Sequence, residues 1–290
     1  FNNKIKTMKT QLISFKSILI ASTLILGFTS CKKETTETTD ALAAQSYNLA
    51  EVEDENTQTM ADQAQSEGAI NLRTAPVDNS SVDLITACAT ITRDTISTPR
   101  VITIDFGSGC TNGNGVTRKG KVIVSYTGKY RDTGTKIHIT TENYYVNNNK
   151  VEIDRTITNN GLNGSGFYTF TIHSARHVTY PDGLSSNSTS DKVREWIAGA
   201  DTPHIFSDDV YSITGTATHT SRAGTLYDAN TITPLIRKVS CHEIVSGQVK
   251  IIRIGNRERF ATIDFGNGDC DDVATVTLDN GKEYTINLKH

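Results

Sequence analysis

Several patterns are missing from this 290-residue chain, and each absence closes off a class of function. There is no stripe of Lys and Arg of the kind a phosphate backbone requires, which excludes nucleic acid as a partner. No Gly-x-Ser-x-Gly elbow, His-Glu-x-x-His pair or phosphate-binding loop occurs, and Asn163-Gly-Ser-Gly166 lacks the residues that would flank the first. With no catalytic motif the chain reads as a non-enzyme. Paired carboxylates of the glycosidase kind leave little sequence trace, so a glycan-acting hydrolase stays as the least favoured reading. Cys-x-x-Cys is absent, which argues against a redox role. Asp-Phe-Gly appears twice, but without the Gly-rich loop, strand lysine and His-Arg-Asp loop of a kinase. In each copy the Phe reads as the end of a buried strand and the glycines as the turn that follows. No long helical spacer separates strand-like runs, which excludes parallel βαβ folds.

The net charge of −3, from 29 Lys+Arg and 32 Asp+Glu, is unevenly spread. Lys4, Lys6, Lys9 and Lys16 fall in the first thirty residues with no carboxylate, so the 25 cations and 32 acids that remain give the rest −7. Met8-Lys9 and Lys16 precede an apolar stretch at 18–28, followed by Thr29-Ser30, the pattern of a secretory signal beginning at Met8. Eleven residues are too few for a helix to cross a hydrocarbon core, which takes about twenty.

Phe28-Thr29-Ser30-Cys31 resembles the lipobox of bacterial lipoproteins, with Phe28 where the pattern prefers Leu. The resemblance implies acylation of Cys31 as the mature N-terminus, and two or more acyl chains make a durable anchor at about 0.8 kcal/mol per buried CH₂. An Asp directly after the cysteine, an inner-membrane retention cue in some bacteria, is absent, which favours the outer membrane. Residues 1–30 are thus expected to be signal and upstream sequence, and 31–40 a lipidated tether with nothing to bury. Residues 41–82 are expected to form one helix with a thin stripe of Leu42, Leu49, Val52 and Met60, followed by a linker from about residue 65.

From residue 83 to 290 the pattern is β-branched and aromatic runs broken by Asn-Gly, Asp-Gly and Gly-x turns. The clearest strands are 121–126, 136–140, 150–154, 167–172 and 273–278; residues 192–199 suit a short helix or a strand equally. The fold class that follows is mainly β: a large antiparallel sheet of about twelve strands, as a sandwich or a curved half-barrel, with one N-terminal helix.

A repeat stands out: the segment from Arg100 to Cys110 returns from Arg259 to Cys270, within units near 88–128 and 241–288. Each copy has one upstream cysteine, and equivalent units should carry equivalent bridges, Cys88–Cys110 and Cys241–Cys270. A hairpin folded about Gly255-Asn256 sets Cys241 opposite Cys270 and Arg253 opposite Glu258. The comparable fold about Pro99 sets Arg93 opposite Asp105. Asp264, Asn267, Asp269, Asp271 and Asp272 offer oxygen ligands that suit Ca²⁺, but the first copy lacks most of these charges and EF-hand spacing is absent. The expectation is therefore no cofactor and Asx-rich turns. His173 and His177, four apart on one strand face, lie about 13 Å from each other and cannot share a metal.

Taken whole, the chain resembles outer-membrane lipoproteins of Bacteroidota, a resemblance that carries no activity. It implies a cell-envelope lipoprotein with a structural or binding role, whose partners are the membrane through its anchor and envelope proteins, lipid or glycan. The alternative is a carrier holding a lipid or other hydrophobic ligand on the concave face of the sheet.

Overall fold

Residues that alternate apolar and polar can bury one side only if the sheet they build covers something. In the computed structural model, which describes residues 31–66, 85 and 88–288 apart from 114, 203–204, 242 and 256–258, that something is the helix. The signal sequence, most of the linker and Glu258 lie outside the described residues.

Helix α1 spans Cys31–Ser66. The strands are β1 (Thr90–Asp94), β2 (Arg100–Asp105), β3 (Cys110–Thr111), β4 (Thr117–Tyr126), β5 (Lys136–Val146), β6 (Asn149–Leu162) and β7 (Tyr168–Thr179). They continue as β8 (Ser185–Ala198), β9 (Val210–Thr220), β10 (Leu226–Lys238), β11 (Glu243–Arg253), β12 (Phe260–Asn267), β13 (Val273–Leu278) and β14 (Glu283–Asn287). All belong to one open antiparallel sheet in chain order, with β3 standing aside to pair with β4. There is no second sheet among the described residues, so the sandwich alternative falls and the curved single sheet stands. Residues 192–199 lie mostly in β8, paired with β7 and β9.

The sheet wraps α1, which touches β2, β5, β8, β11, β12 and β13, strands from both ends and the middle. Ladder irregularities supply the curvature. Gly120 on β4 (φ +80°) and Gly247 on β11 (φ +106°) sit at two of them, where a Cβ would collide with the backbone at Asn143 and Pro234.

Burial along α1 departs from the expected thin stripe. Residues 51–60 are all buried, which a helix resting on one sheet face cannot achieve. Ala43, Ala44, Tyr47, Met60, Ala61 and Ala64 join the apolar core, whereas Leu42 is 61% exposed. The helix also takes in residues 31–40, expected as a tether. Asp40 is buried there because Arg259 reaches it at 2.8 Å and the Tyr227 hydroxyl donates to it at 2.8 Å.

Both disulfides form as expected, with Cα separations of 5.8 Å for Cys88–Cys110 and 5.4 Å for Cys241–Cys270. The ladders beneath them are offset from the expected registers. Arg253 N–H donates to the Arg259 carbonyl at 2.9 Å, one residue beyond the expected partner, and Arg93 pairs with Ile102 while Thr90 pairs with Asp105. The offset arises because Cys110 and Cys270 lie beyond the Asp-Phe-Gly turns, outside the ladders that were extended to reach them. The aspartate closes on the same glycine amide in both copies, although β2 ends at Asp105 and a turn follows, whereas β12 runs through the second Asp-Phe-Gly to Asn267. Asp105 accepts from Gly107 N–H at 2.8 Å and Asp264 from Gly266 N–H at 2.9 Å, while Phe106 and Phe265 are buried.

Candidate ligand-binding cavity

The acid run on α1 determines what the strands must present. Glu51, Glu53, Asp54 and Glu55 project around the helix at about 100° per residue, so their partners come from strands on several sides. Glu53 lies 3.5 Å from Arg118 (β4) and accepts from the Tyr144 hydroxyl (β5) at 2.6 Å. Asp54 meets Arg176 (β7) at 3.2 Å and the Ser174 hydroxyl at 2.9 Å, and Glu51 pairs with Lys192 (β8). Glu55 gathers Arg155 (β6) at 2.9 Å, Arg194 (β8), and Arg237 (β10) at 3.7 Å. Burial opposes the Glu55 charge, but the three guanidiniums outweigh it and hold its carboxyl well below the usual carboxylate range. The concave face thus sets these cations among its apolar side chains and is filled by α1.

The space left over lies at the mouth of the sheet where α1 ends. A cavity of about 350 Å³ is lined by Asp62 of α1, Arg100 and Tyr126 paired across β2 and β4, and residues 128–131 of the β4–β5 connection. Trp196 (β8), Tyr211 (β9), and Phe206 and Asp209 from the β8–β9 connection complete it. Arg93 closes the helix end nearby by donating to the Ala64 carbonyl at 3.2 and 3.1 Å, a cation at the negative end of the helix dipole.

The wall is aromatic. Tyr130 stacks on Phe170 with centroids 4.6 Å apart, and Trp196 meets Tyr130 at 5.9 Å, Tyr211 at 5.7 Å and Tyr168 at 6.1 Å. The Arg131 guanidinium lies over the Trp196 ring at 4.6 Å. Asp209 accepts from Trp196 Nε1 at 3.1 Å and from the Tyr211 hydroxyl at 3.4 Å. Burial first, and then the Asp62 charge, push the Asp209 carboxyl up to about 7. Burial likewise pushes Asp62 up to about 7 against the opposing pull of Arg194. Two adjoining carboxyl groups therefore carry protons close to neutrality.

The residues expected from sequence as sites lie elsewhere. Cys31 opens α1, and the two disulfides brace the units near the two edges of the sheet. Asp264 and Asn267 lie in β12, and Asp269, Asp271 and Asp272 in the connection to β13; among the described residues no group of three His, Cys, Asp or Glu side chains is placed to hold a metal. Asp264 is engaged by Gly266 N–H and the Gln248 amide, and Asp271 accepts from Val273 N–H. On β7 His173 is exposed and His177 half-buried, paired with Asp191 and Asn187. Sequence reading missed Asp62, Asp209 and the aromatic wall. The available signals were the single tryptophan of the chain and the loop triplet Lys129-Tyr130-Arg131. Comparison with protein families, curated proteins and solved structures gives no match.

Proposed function

We propose that this protein is a cell-envelope lipoprotein, anchored in the outer membrane through Cys31, whose body is a non-enzymatic binding module with its ligand site in the cavity at the far mouth of the sheet. One observation carries the reading: concavity, an aromatic wall, cations that no ion pair engages among the described residues, and proton-bearing carboxyls coincide there. The anchor reading rests on the lipobox resemblance. With an anchor at Cys31, the helix from Cys31 to Asp62 would set the cavity about 46 Å from the acylated residue, at 1.5 Å per residue. The opposite mouth supports that orientation, since Leu42 and Leu184 are exposed beside a groove there.

The Asp62 and Asp209 pair favours a second reading, acid-assisted glycan hydrolysis, because such chemistry uses one protonated and one ionised carboxyl. Turnover of a glycan that Asp209→Asn and Asp62→Asn each abolish would establish that reading over the first.

Trp196 is the only tryptophan and lines the cavity, so its emission reports occupancy. Titration with neutral, anionic and cationic small molecules and with lipids should give a class that shifts emission, with the shift lost in Phe206→Ala. If no class moves Trp196, the cavity is not the ligand site.

A further inference from the structure

Among the described residues the inward-facing cations are matched. Arg118, Arg155, Arg176, Lys192, Arg194 and Arg237 meet acids of α1, and Arg253 and Arg259 meet Asp40. On the surface Lys121, Lys150 and Arg222 pair with Glu142, Glu152 and Asp182. Among the described residues no ion pair engages Arg100, Lys129 or Arg131, nor Lys119, Lys136, Lys238 or Lys250 elsewhere, but the first three line one shared space of about 350 Å³. The carboxyls that share the space, Asp62 and Asp209, are set into the wall and engaged by Gln58, Trp196 and Tyr211.

We infer that the cavity binds a small organic carboxylate, its charge held by Arg100, Lys129 and Arg131 and its flat or ring-shaped body set against Tyr126, Tyr130 and Phe206. This inference rests on the binding reading above and names its ligand class. Guanidinium groups suit a carboxylate because their paired N–H donors match its two oxygens, and an aromatic wall suits the apolar face of a ring. The volume admits a molecule of one or two rings. A dianionic phosphate fits less well, because Asp62 and Asp209 border the same space and each added negative charge meets them.

Those two carboxyls also make binding proton-linked. Asp62 faces Gln58 and Glu55 on its own helix, Arg155 of β6, Arg194 of β8 and Tyr130 of the β4–β5 connection. Asp209 faces Asp62, Trp196 of β8, Tyr211 of β9 and the neighbouring Asp208. While the pair keeps its protons it does not repel a carboxylate; as it ionises above neutrality it does. Uptake of one proton with the anion weakens binding by about tenfold per pH unit on the alkaline side.

Two sources of the same chemistry, a sugar acid and an aromatic acid, separate in one experiment on the full chain. Calorimetry with galacturonate against galactose, and benzoate against benzyl alcohol, should show at least one acid binding and its neutral twin failing. Affinity should fall at least about tenfold from mildly acidic to mildly alkaline pH. Arg131→Gln and Arg100→Gln should each weaken binding by about tenfold, the scale of one charge-assisted hydrogen bond, while Arg222→Gln at the other mouth changes nothing. Neutral twins binding as tightly as the acids, or binding indifferent to Arg131 and Arg100, overturns the inference and leaves the binding reading standing. If neither these probes nor the broader panel moves Trp196, both fail.

Discussion

Trp196 Nε1 donates a hydrogen bond to Asp209 Oδ1 at 3.1 Å, joining the only tryptophan in the chain to a carboxyl that burial pushes up to about 7. The emission of Trp196 should therefore titrate near neutrality, and Asp209→Asn should flatten the curve. The linked stability has a definite sign. A carboxyl raised in the folded state favours folding fully below its ordinary value near 4, and that contribution fades as pH rises through about 7. Emission that stays constant across neutral pH would show that the pair does not titrate there.

Glu55 is the acid on which three strands converge. Glu55→Gln leaves Arg155, Arg194 and Arg237 buried without their shared counter-charge and should cost about 3–5 kcal/mol in chemical denaturation. Glu142→Gln, which breaks only an exposed pair with Lys121, should leave the midpoint unchanged. A Glu55→Gln midpoint equal to wild type would mean that the helix is not held by its charges.

Acid should loosen the same core. His219 accepts or donates one hydrogen bond with Ser46 at 2.8 Å, and burial lowers its ring to about 4. The unfolded chain takes up its proton near 6.5, so stability is lost as pH falls from there toward 4. Glu55 and Asp54, both held below their ordinary values because their arginine partners outweigh burial, extend the loss to lower pH. Asp62 and Asp209 oppose this loss between about 7 and 4, so the His219 part is read as a difference: thermal melts of His219→Gln should gain on wild type as pH falls from about 6.5 to 4, and a constant gap would rule the His219 contribution out.

The anchor is tested by fractionation. Cys31→Ala should move the protein from membranes to the soluble fraction, because two or more acyl chains are what would hold it. A mutant that still partitions wholly with membranes would rule out the lipid at Cys31.

Calcium or a chelator should leave the melting temperature unchanged, since Asp264 already serves Gly266 and Gln248 and Asp271 serves Val273 N–H. Bound Ca²⁺ at a hundredfold excess over Kd would add about 2.7 kcal/mol, an effect of several degrees. A calcium-dependent rise that Asp271→Asn removes would establish a site in this loop.

Much of the architecture was legible in the sequence because the relevant signals are local. Period-two alternation marks β4, β6 and β13, and the Asp-Phe-Gly turns are set by an Asx side chain meeting a nearby amide, a geometry closed within three residues. The repeat identified both disulfides because equivalent segments deliver equivalent cysteines, even though the ladders between them are offset. The role of α1 was not legible. Nothing in the sequence marks Glu51, Glu53, Asp54 and Glu55 for burial, because an acid on a helix is usually an acid in water. Only a sheet that curls until Arg118, Arg155, Arg176, Lys192, Arg194 and Arg237 face inward turns them into a core. The cavity belongs to the same level. Asp62 and Asp209 stand 147 positions apart in sequence and become neighbours only when α1 ends beside the β8–β9 connection, where the loss of water rather than residue type raises their proton affinity.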